Sequence, residues 1–245
     1  MAMQPMRRGG GNMFGRGGPL SVASTGAKLA IGMVVATVLA RLLPVAIYLV
    51  PSQAVDGLAV WQFVTWILVN TPDPLSVIFG AIILWSIGGA LEGSWGTKRL
   101  LTFSLGTVFV SGLLTALLSF LVPALARAPF FGASVMTSVI WVAYGLSFGR
   151  AQMNFWGLPV TGNVLAGIGV GFVVLNALLA SWVLMVPAMI GLVLTFVYVK
   201  VGTPRLLLLK LQRWKLDREM KSRNRHLRVV GSDRNGDKGS DRYIH

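Results

Sequence analysis

The chain has no cysteine and only two histidines, His226 and His245, both close to the carboxyl terminus. The lack of cysteine excludes disulfide bonds, thiolate metal sites and cysteine nucleophiles. Since both histidines stand in a polar tail, we expect neither a metal site nor a cofactor. Charge is scarce as well, because charged residues make up 12% of the chain, against about 25% in soluble domains.

Apolar residues dominate instead. The hydrophobic fraction is 54% and the mean hydropathy is +0.70, as in polytopic membrane proteins. About 20 apolar residues cross the hydrocarbon core as a helix, because backbone groups in lipid must be hydrogen-bonded within the segment. We therefore predict an all-α fold with six spans, near residues 28–50, 74–91, 99–122, 132–149, 162–179 and 183–200. The last two share one apolar run, which we expect to break around Ser181 and Trp182.

The basic residues indicate an orientation. Of 22 Lys and Arg residues, all except Arg41 and Arg127 would lie on one side of a six-span protein. By the positive-inside rule, both termini are predicted on the cytoplasmic side, or the equivalent matrix or stromal side. The domains are then a disordered basic tail (1–27), a membrane domain (28–200) and a second basic tail (201–245) with an amphipathic start and a disordered end.

The formal net charge of +14 is explained first by this topology. Nucleic-acid binding would need a folded basic face or an aromatic-lined groove, and the sequence indicates neither. Residues 205–218 mix apolar and basic side chains, so this segment could lie on anionic lipid headgroups or be a solvated helix end. Membrane lipids are thus expected partners, and the basic tail could also bind a cytoplasmic protein.

Three short motifs occur at defined positions relative to the predicted spans. Trp61, Gln62 and Thr65 precede the second span, whose end carries Gly88-Gly89-Ala-Leu-Glu92-Gly-Ser-Trp-Gly96-Thr-Lys98-Arg99. Phe131-Gly132-Ala133-Ser134 begins the fourth span. Residues 28–200 resemble the rhomboid family of intramembrane serine proteases, although Gln62 replaces the arginine of the family's Trp-Arg pair. The resemblance implies a six-helix rhomboid-like bundle.

The resemblance also assigns catalytic positions. Ser134 stands at the nucleophile, but Ala188 stands at the histidine base, and Ser76 and Gly80 at the oxyanion donors. A serine hydroxyl needs a base to become a nucleophile, and spans three to six contain no Asp, no Glu and no interior Lys. The chain therefore resembles the derlins and inactive rhomboids, and is not expected to be an enzyme.

Small and polar residues supply the remaining structural expectations. Gly132, Ala133 and Ser134 are predicted to let the fourth span contact the sixth closely, at Ala188, Gly191 and Thr195. Glu92 is predicted to pair with Lys98 or Arg99, or else to be solvated in a loop. Asn176, in the fifth span, is expected to form a hydrogen bond between helices.

Three functions are compatible with these residues. The resemblance favours a pseudoprotease that binds transmembrane client proteins without cleaving them. The alternative is an active intramembrane protease that uses Ser134 with an unrecognised base. A transporter or channel is disfavoured, because the spans lack the charged pathway that such proteins carry.

Overall fold

Helices account for most of residues 23–43, 46–155 and 158–201, which are the residues that a computed structural model of the chain describes. In chain order the elements are α1 (Thr25–Leu42), α2 (Pro51–Val55), α3 (Gln62–Thr65), a 3-10 turn (Trp66–Leu68), α4 (Pro74–Trp95), α5 (Thr97–Ser119), α6 (Pro123–Ala126), α7 (Gly132–Phe148), β1 (Gln152–Phe155), β2 (Leu158–Thr161), α8 (Gly162–Leu179) and α9 (Trp182–Val201). Most of both predicted basic tails, including the amphipathic segment 205–218, lies outside the described residues.

Five of these helices, α1, α4, α5, α8 and α9, are long and apolar enough to cross a membrane. The remaining long helix, α7, is apolar but has 17 residues. At 1.5 Å per residue it extends about 26 Å, which is slightly less than the hydrocarbon core of about 30 Å. The chain is thus a mostly helical, multi-pass membrane protein, as the composition predicts.

The short helix α7 lies at the centre of the bundle and packs against α4, α5, α8 and α9. Apart from Met136, its buried side is built from small and β-branched residues, which are Gly132, Ala133, Val135, Val139, Ile140, Val142, Ala143 and Gly145. Because other helices surround α7, protein rather than lipid solvates much of its surface. A central helix can therefore be shorter than its neighbours.

The structure revises two boundaries and confirms a third. Helix α1 ends at Leu42, eight residues before the predicted end of the span, because Leu43 has an extended ψ of 138° and is followed in sequence by Pro44. A residue that precedes proline is disfavoured in the helical conformation. Helix α1 also begins at Thr25, inside the predicted tail. The predicted break in the last apolar run is confirmed, since α8 ends at Leu179 and α9 begins at Trp182.

One element departs from the all-α prediction. The segment between α7 and α8 forms an antiparallel hairpin in which Gln152 pairs with Thr161 and Phe155 with Leu158. The hairpin closes a short connection between two helices that pack on each other. It is too small to change the helical class of the protein.

The segment between α1 and α4 is ordered by burial. Trp66 is fully buried, and a Cβ atom added to Gly112 of α5 would approach its ring to 2.5 Å. The backbone of Leu49 exchanges two hydrogen bonds with that of Phe130, just before α7. These contacts join the first connecting segment to the centre of the bundle.

Two glycines permit close backbone geometry at one end of α4. Gly96 has a φ of +80°, which favours glycine, and it joins α4 directly to α5. A Cβ atom on Gly26 of α1 would lie 2.5 Å from the backbone nitrogen of Gly89 and from the carbonyl oxygen of Leu84. The backbones of α1 and α4 are therefore in direct contact at this level.

Candidate functional site

A groove of about 510 Å³ lies between α4 and α8, with α7 at its base. Its rim is apolar, since Phe79 of α4 is 53% exposed and Phe172 of α8 is 55% exposed. The residues that line it are Asn70, Asp73, Leu75, Ser76, Phe79, Gly80, Ile83, Ser134, Thr137, Ser138, Trp141, Gly169, Phe172 and Asn176. The groove thus combines apolar walls with a small number of polar side chains, as binding sites in proteins do.

Ser134, the predicted nucleophile position, lies in this groove near the start of α7. Its hydroxyl donates a 2.7 Å hydrogen bond to the carbonyl oxygen of Phe131. One turn further on, the Ser138 hydroxyl donates to the carbonyl oxygen of Ser134 at 3.0 Å. The Ser134 proton is therefore held by the backbone carbonyl of Phe131, the residue just before α7, and not by a base.

The position expected for the catalytic base holds a side chain that cannot accept a proton. Ala188 is 5% exposed on α9 and belongs to the hydrophobic core. Among the described residues that line the groove, the ionisable one is Asp73, whose carboxylate accepts the backbone N–H of Ser76 at 2.9 Å. Asp73 therefore caps the first turn of α4, where an acidic side chain also interacts favourably with the helix dipole.

The two expected oxyanion positions are occupied in different ways. Ser76 lines the groove, and its carbonyl oxygen accepts the side-chain amide of Asn70 at 2.9 Å. A Cβ atom on Gly80 would lie 3.1 Å from that same amide nitrogen and 3.3 Å from the sulfur of Met33. The space left by the glycine is thus bordered by a buried amide from the preceding segment.

Asn70 is a site residue that the motifs did not indicate. It is 2% exposed, its side-chain oxygen accepts the backbone N–H of Thr71, and its backbone N–H donates to the hydroxyl of Thr37. Asp73 and Thr137 were missed in the same way. The only sequence signal was an Asn and an Asp in a short proline-containing stretch before α4, which is as typical of a turn as of a binding site.

The first motif fastens the connecting segment. Gln62 is 1% exposed, accepts the backbone N–H of Val50 at 3.0 Å, and donates to the side chain of Gln53 at 3.2 Å. The Thr65 hydroxyl contacts the carbonyl oxygens of Ile47 and Trp61 at 2.9 and 3.1 Å. Trp61 itself is 48% exposed. An amide can thus satisfy the buried polar groups at a position where the resemblance would place an arginine.

The second motif closes the opposite end of α4, and the predicted partners of Glu92 are wrong. Its carboxylate accepts the backbone N–H of Thr25 at 2.6 Å, the hydroxyl of the same residue, and the hydroxyl of Thr97 at 2.5 Å. Lys28 adds an electrostatic attraction. Glu92 lies within α4, not in a solvated loop, and it satisfies donors at the start of both α1 and α5. A carboxylate suits this position because helix N-termini present unpaired N–H groups.

Arg99, the other predicted partner, interacts with aromatic rings. Its guanidinium carbon lies 4.5 Å from the ring centroid of Trp95 and 5.5 Å from that of Tyr198, and its Nε donates to the Tyr198 hydroxyl at 3.3 Å. Phe103 completes the cluster, 4.8 Å from the Tyr198 ring. Cation–π contacts of this kind connect α5 to the end of α9.

The small residues predicted between the fourth and sixth spans lie in two separate contacts. Gly191 of α9 faces α7, where an added Cβ atom would lie 3.0 Å from Val139 and 3.1 Å from Val135. Gly132 is different, because its nearest neighbours are the carbonyl oxygen of Trp66 and Ile67, at 2.7 and 2.8 Å from an added Cβ. Its predicted role against α9 is therefore replaced by packing on the 3-10 turn.

Ala133 and Thr195 are both fully buried. The Ala133 backbone N–H donates to the carbonyl oxygen of Val69, and the Thr195 hydroxyl donates to Gly191 within α9. Within the described residues, Asn176 does not form the predicted bond between helices. Its amide donates to Phe172 within α8, and its side chain is exposed on the groove. A donor on a transmembrane helix satisfies itself locally when no partner helix faces it.

No protein-family model matches the chain, and neither a characterised protein nor a solved structure shows significant similarity to it. The class of protein is therefore defined by the fold and the groove themselves. That class is a mostly helical, multi-pass membrane protein with an apolar groove between two of its long helices.

Proposed function

We propose that the protein is a rhomboid-like pseudoprotease, which binds transmembrane segments of client proteins in the groove between α4 and α8 without cleaving them. The proposed architecture is a bundle of six spans that includes the short helix α7, with both termini on the cytoplasmic side or its matrix or stromal equivalent. Membrane lipids and client helices are the proposed partners, and the basic tail offers a second surface for a cytoplasmic protein.

The observation that carries the proposal is the environment of Ser134. The residue lies in a groove with exposed apolar rims, where a membrane segment could contact Phe79 and Phe172. Its hydroxyl is hydrogen-bonded to a backbone carbonyl, and the position of the base holds Ala188. General-base catalysis requires a base within hydrogen-bond reach of the proton. Binding without hydrolysis is the activity that such a groove supports.

Photo-crosslinking in cells tests client binding. A photoreactive amino acid at Phe79 or Phe172 should capture transmembrane proteins, because both side chains stand at the rim. The matched control is Leu117 of α5, which is 61% exposed but does not line the groove. Recovery of the same proteins from all three positions, or of lipid alone from the rim positions, would defeat the proposal.

Asp73 gives the protease alternative a specific candidate base. One of its carboxylate oxygens is bound by Ser76, and within the described residues the other has no hydrogen-bond partner. A fluorophosphonate probe distinguishes the two functions, because it labels only an activated serine. We expect no labelling at Ser134. Labelling that disappears in Ser134→Ala would establish an activated serine and overturn the pseudoprotease. Its loss in Asp73→Asn as well would identify Asp73 as the base.

A further inference from the structure

We propose that the groove selects membrane segments that carry a hydrogen-bond donor side chain, such as the amide of Asn or Gln, at the level of Ser134 and Ser138. This inference rests on the proposed client-binding function and adds the chemistry by which a client is distinguished. A purely apolar segment would still fit the walls. It would not pair with the base of the groove.

The argument begins with the hydroxyl groups on α7. Ser134, Thr137 and Ser138 all line the groove, and they share one face of the helix because they are spaced by three and four residues. Each hydroxyl donates its proton to the backbone carbonyl three or four residues earlier in the chain, at 2.7, 2.8 and 3.0 Å respectively. A hydroxyl has one proton and two lone pairs. The base of the groove therefore presents oxygen acceptors whose protons are already engaged.

Donation to a carbonyl also makes a hydroxyl oxygen a better acceptor, because hydrogen bonds in a chain polarise one another. The effect is larger in a medium of low dielectric constant, such as the interior of a membrane. Three such oxygens in one turn of α7 form a local concentration of acceptors in a groove with apolar walls. A hydrogen-bond donor that enters the groove can therefore pair with an acceptor, which the acyl chains of lipid do not provide.

The other polar groups of the groove are consistent with this selectivity. The ionised carboxylate of Asp73, at the start of α4, has no proton to donate and therefore only accepts hydrogen bonds. The side-chain amide of Asn70 already donates to the carbonyl oxygen of Ser76. Within the described lining, donors remain at the Ser76 hydroxyl and at one N–H of Asn176, on the two walls. The hydroxyl groups of α7 at the base of the groove offer hydrogen-bond acceptors, and so a ligand with a hydrogen-bond donor is complementary to them.

Three synthetic peptides test the inference on the full-length protein in phosphatidylcholine vesicles. Each is a leucine-rich transmembrane helix with one central guest residue: Asn, its N,N-dimethylamide, or Leu. The dimethylamide keeps the acceptor oxygen and loses both donors, while Leu matches the shape of Asn without polar atoms. The chain has no cysteine, so Leu179→Cys, at the exposed end of α8, gives a single site for a fluorescent acceptor. Energy transfer from labelled peptide then reports binding.

We expect the Asn peptide to bind about three-fold to ten-fold more tightly than the other two, the range that single hydrogen bonds between membrane helices provide. In the triple variant Ser134→Ala/Thr137→Val/Ser138→Ala, which removes the three hydroxyl groups of α7 that line the groove, this ratio should fall to about one. Ser147→Ala is the matched control, because its hydroxyl makes the same kind of bond to Ala143 of α7 outside the groove. It should leave the ratio unchanged.

The outcomes separate this inference from the proposed function. Equal binding of the three peptides would overturn donor selection and leave client binding intact. Binding of none of them, with vesicle lipid occupying the groove, would overturn both. A preference for Asn that persists in the triple variant would show that other groups recognise the donor, and would also overturn the proposal.

Discussion

The two ends of α4 have opposite environments, since one is closely packed and the other borders a groove. At the carboxyl end, Gly88 and Gly89 let the backbone of α1 approach directly, and Glu92 accepts hydrogen bonds from the starts of α1 and α5. At the amino end, Ser76 and Gly80 border a groove whose other side is α8. One end is closed by backbone contact and a satisfied carboxylate. The other end borders an open groove.

The difference shows how one membrane helix can pack tightly on a neighbour at one end and line an open groove at the other. In lipid the hydrophobic effect does not drive helices together, so close packing of small residues and satisfied polar groups must hold them. Both devices occur at the carboxyl end of α4. Because that end is fixed, the amino end can stay apart from α8 without loss of the fold.

The largest effect is expected where backbone meets backbone. In Gly26→Ala the new methyl group would lie within 3 Å of backbone atoms of Leu84, Gly88 and Gly89, and no rotamer change can relieve such a clash. We expect the free energy of unfolding in detergent to fall by about 3 kcal/mol or more. Gly93→Ala on α4 is the control, since no atom lies within 4 Å of its added Cβ. Equal stability of the two variants would show that the contact is loose.

A second effect concerns the contact of α9 with α7. Gly191→Leu must displace Val135 and Val139, which stand 3.0 to 3.1 Å from an added Cβ. Side chains can adjust more than a backbone can, so we expect a loss of about 1 to 3 kcal/mol in the free energy of unfolding. The matched variant is Gly167→Leu on α8, where nothing lies within 4 Å. Unchanged thermal stability of Gly191→Leu would contradict the close contact.

Glu92→Ala should lower the free energy of unfolding by about 1 to 3 kcal/mol, the cost of leaving donors unsatisfied. It removes the acceptor of the Thr25 backbone N–H and of two hydroxyls at once. Thr97→Val removes one of these bonds and should cost less. If both variants unfold at the same temperature in a thermal melt, the carboxylate does not act on α1.

The smallest effect is expected at the open end. In Gly80→Ala the methyl group meets the side-chain ends of Asn70 and Met33, at 3.1 and 3.3 Å. Methionine adapts readily, and alanine favours the helix by up to about 1 kcal/mol, so the stability should change by less than about 1 kcal/mol. Circular dichroism during thermal unfolding measures it. A loss as large as that of Gly26→Ala would erase the contrast between the two ends.

Local properties of the sequence determined the class of this protein. Apolar length and the scarcity of charge predict a multi-pass helical membrane protein because each span must satisfy its own backbone, wherever its neighbours lie. The break at Ser181 and Trp182 was predicted because the apolar run is too long for a single crossing. We propose six spans from the apolar runs and the orientation from the distribution of basic residues, whereas the rhomboid-like bundle and the pseudoprotease function are proposed from the motifs.

Only the tertiary structure decided which residues pair or pack with one another. Glu92 was assigned to nearby cations in sequence, yet it binds Thr25, 67 positions away, because the close approach of α1 to α4 brings that helix start within reach. Gly132 packs on Trp66 rather than on α9, and Asn70 enters the groove from a segment with the composition of a turn. Which faces of apolar helices meet depends on their mutual rotation and depth. Spans that are apolar on all sides carry no periodic pattern that records these two quantities.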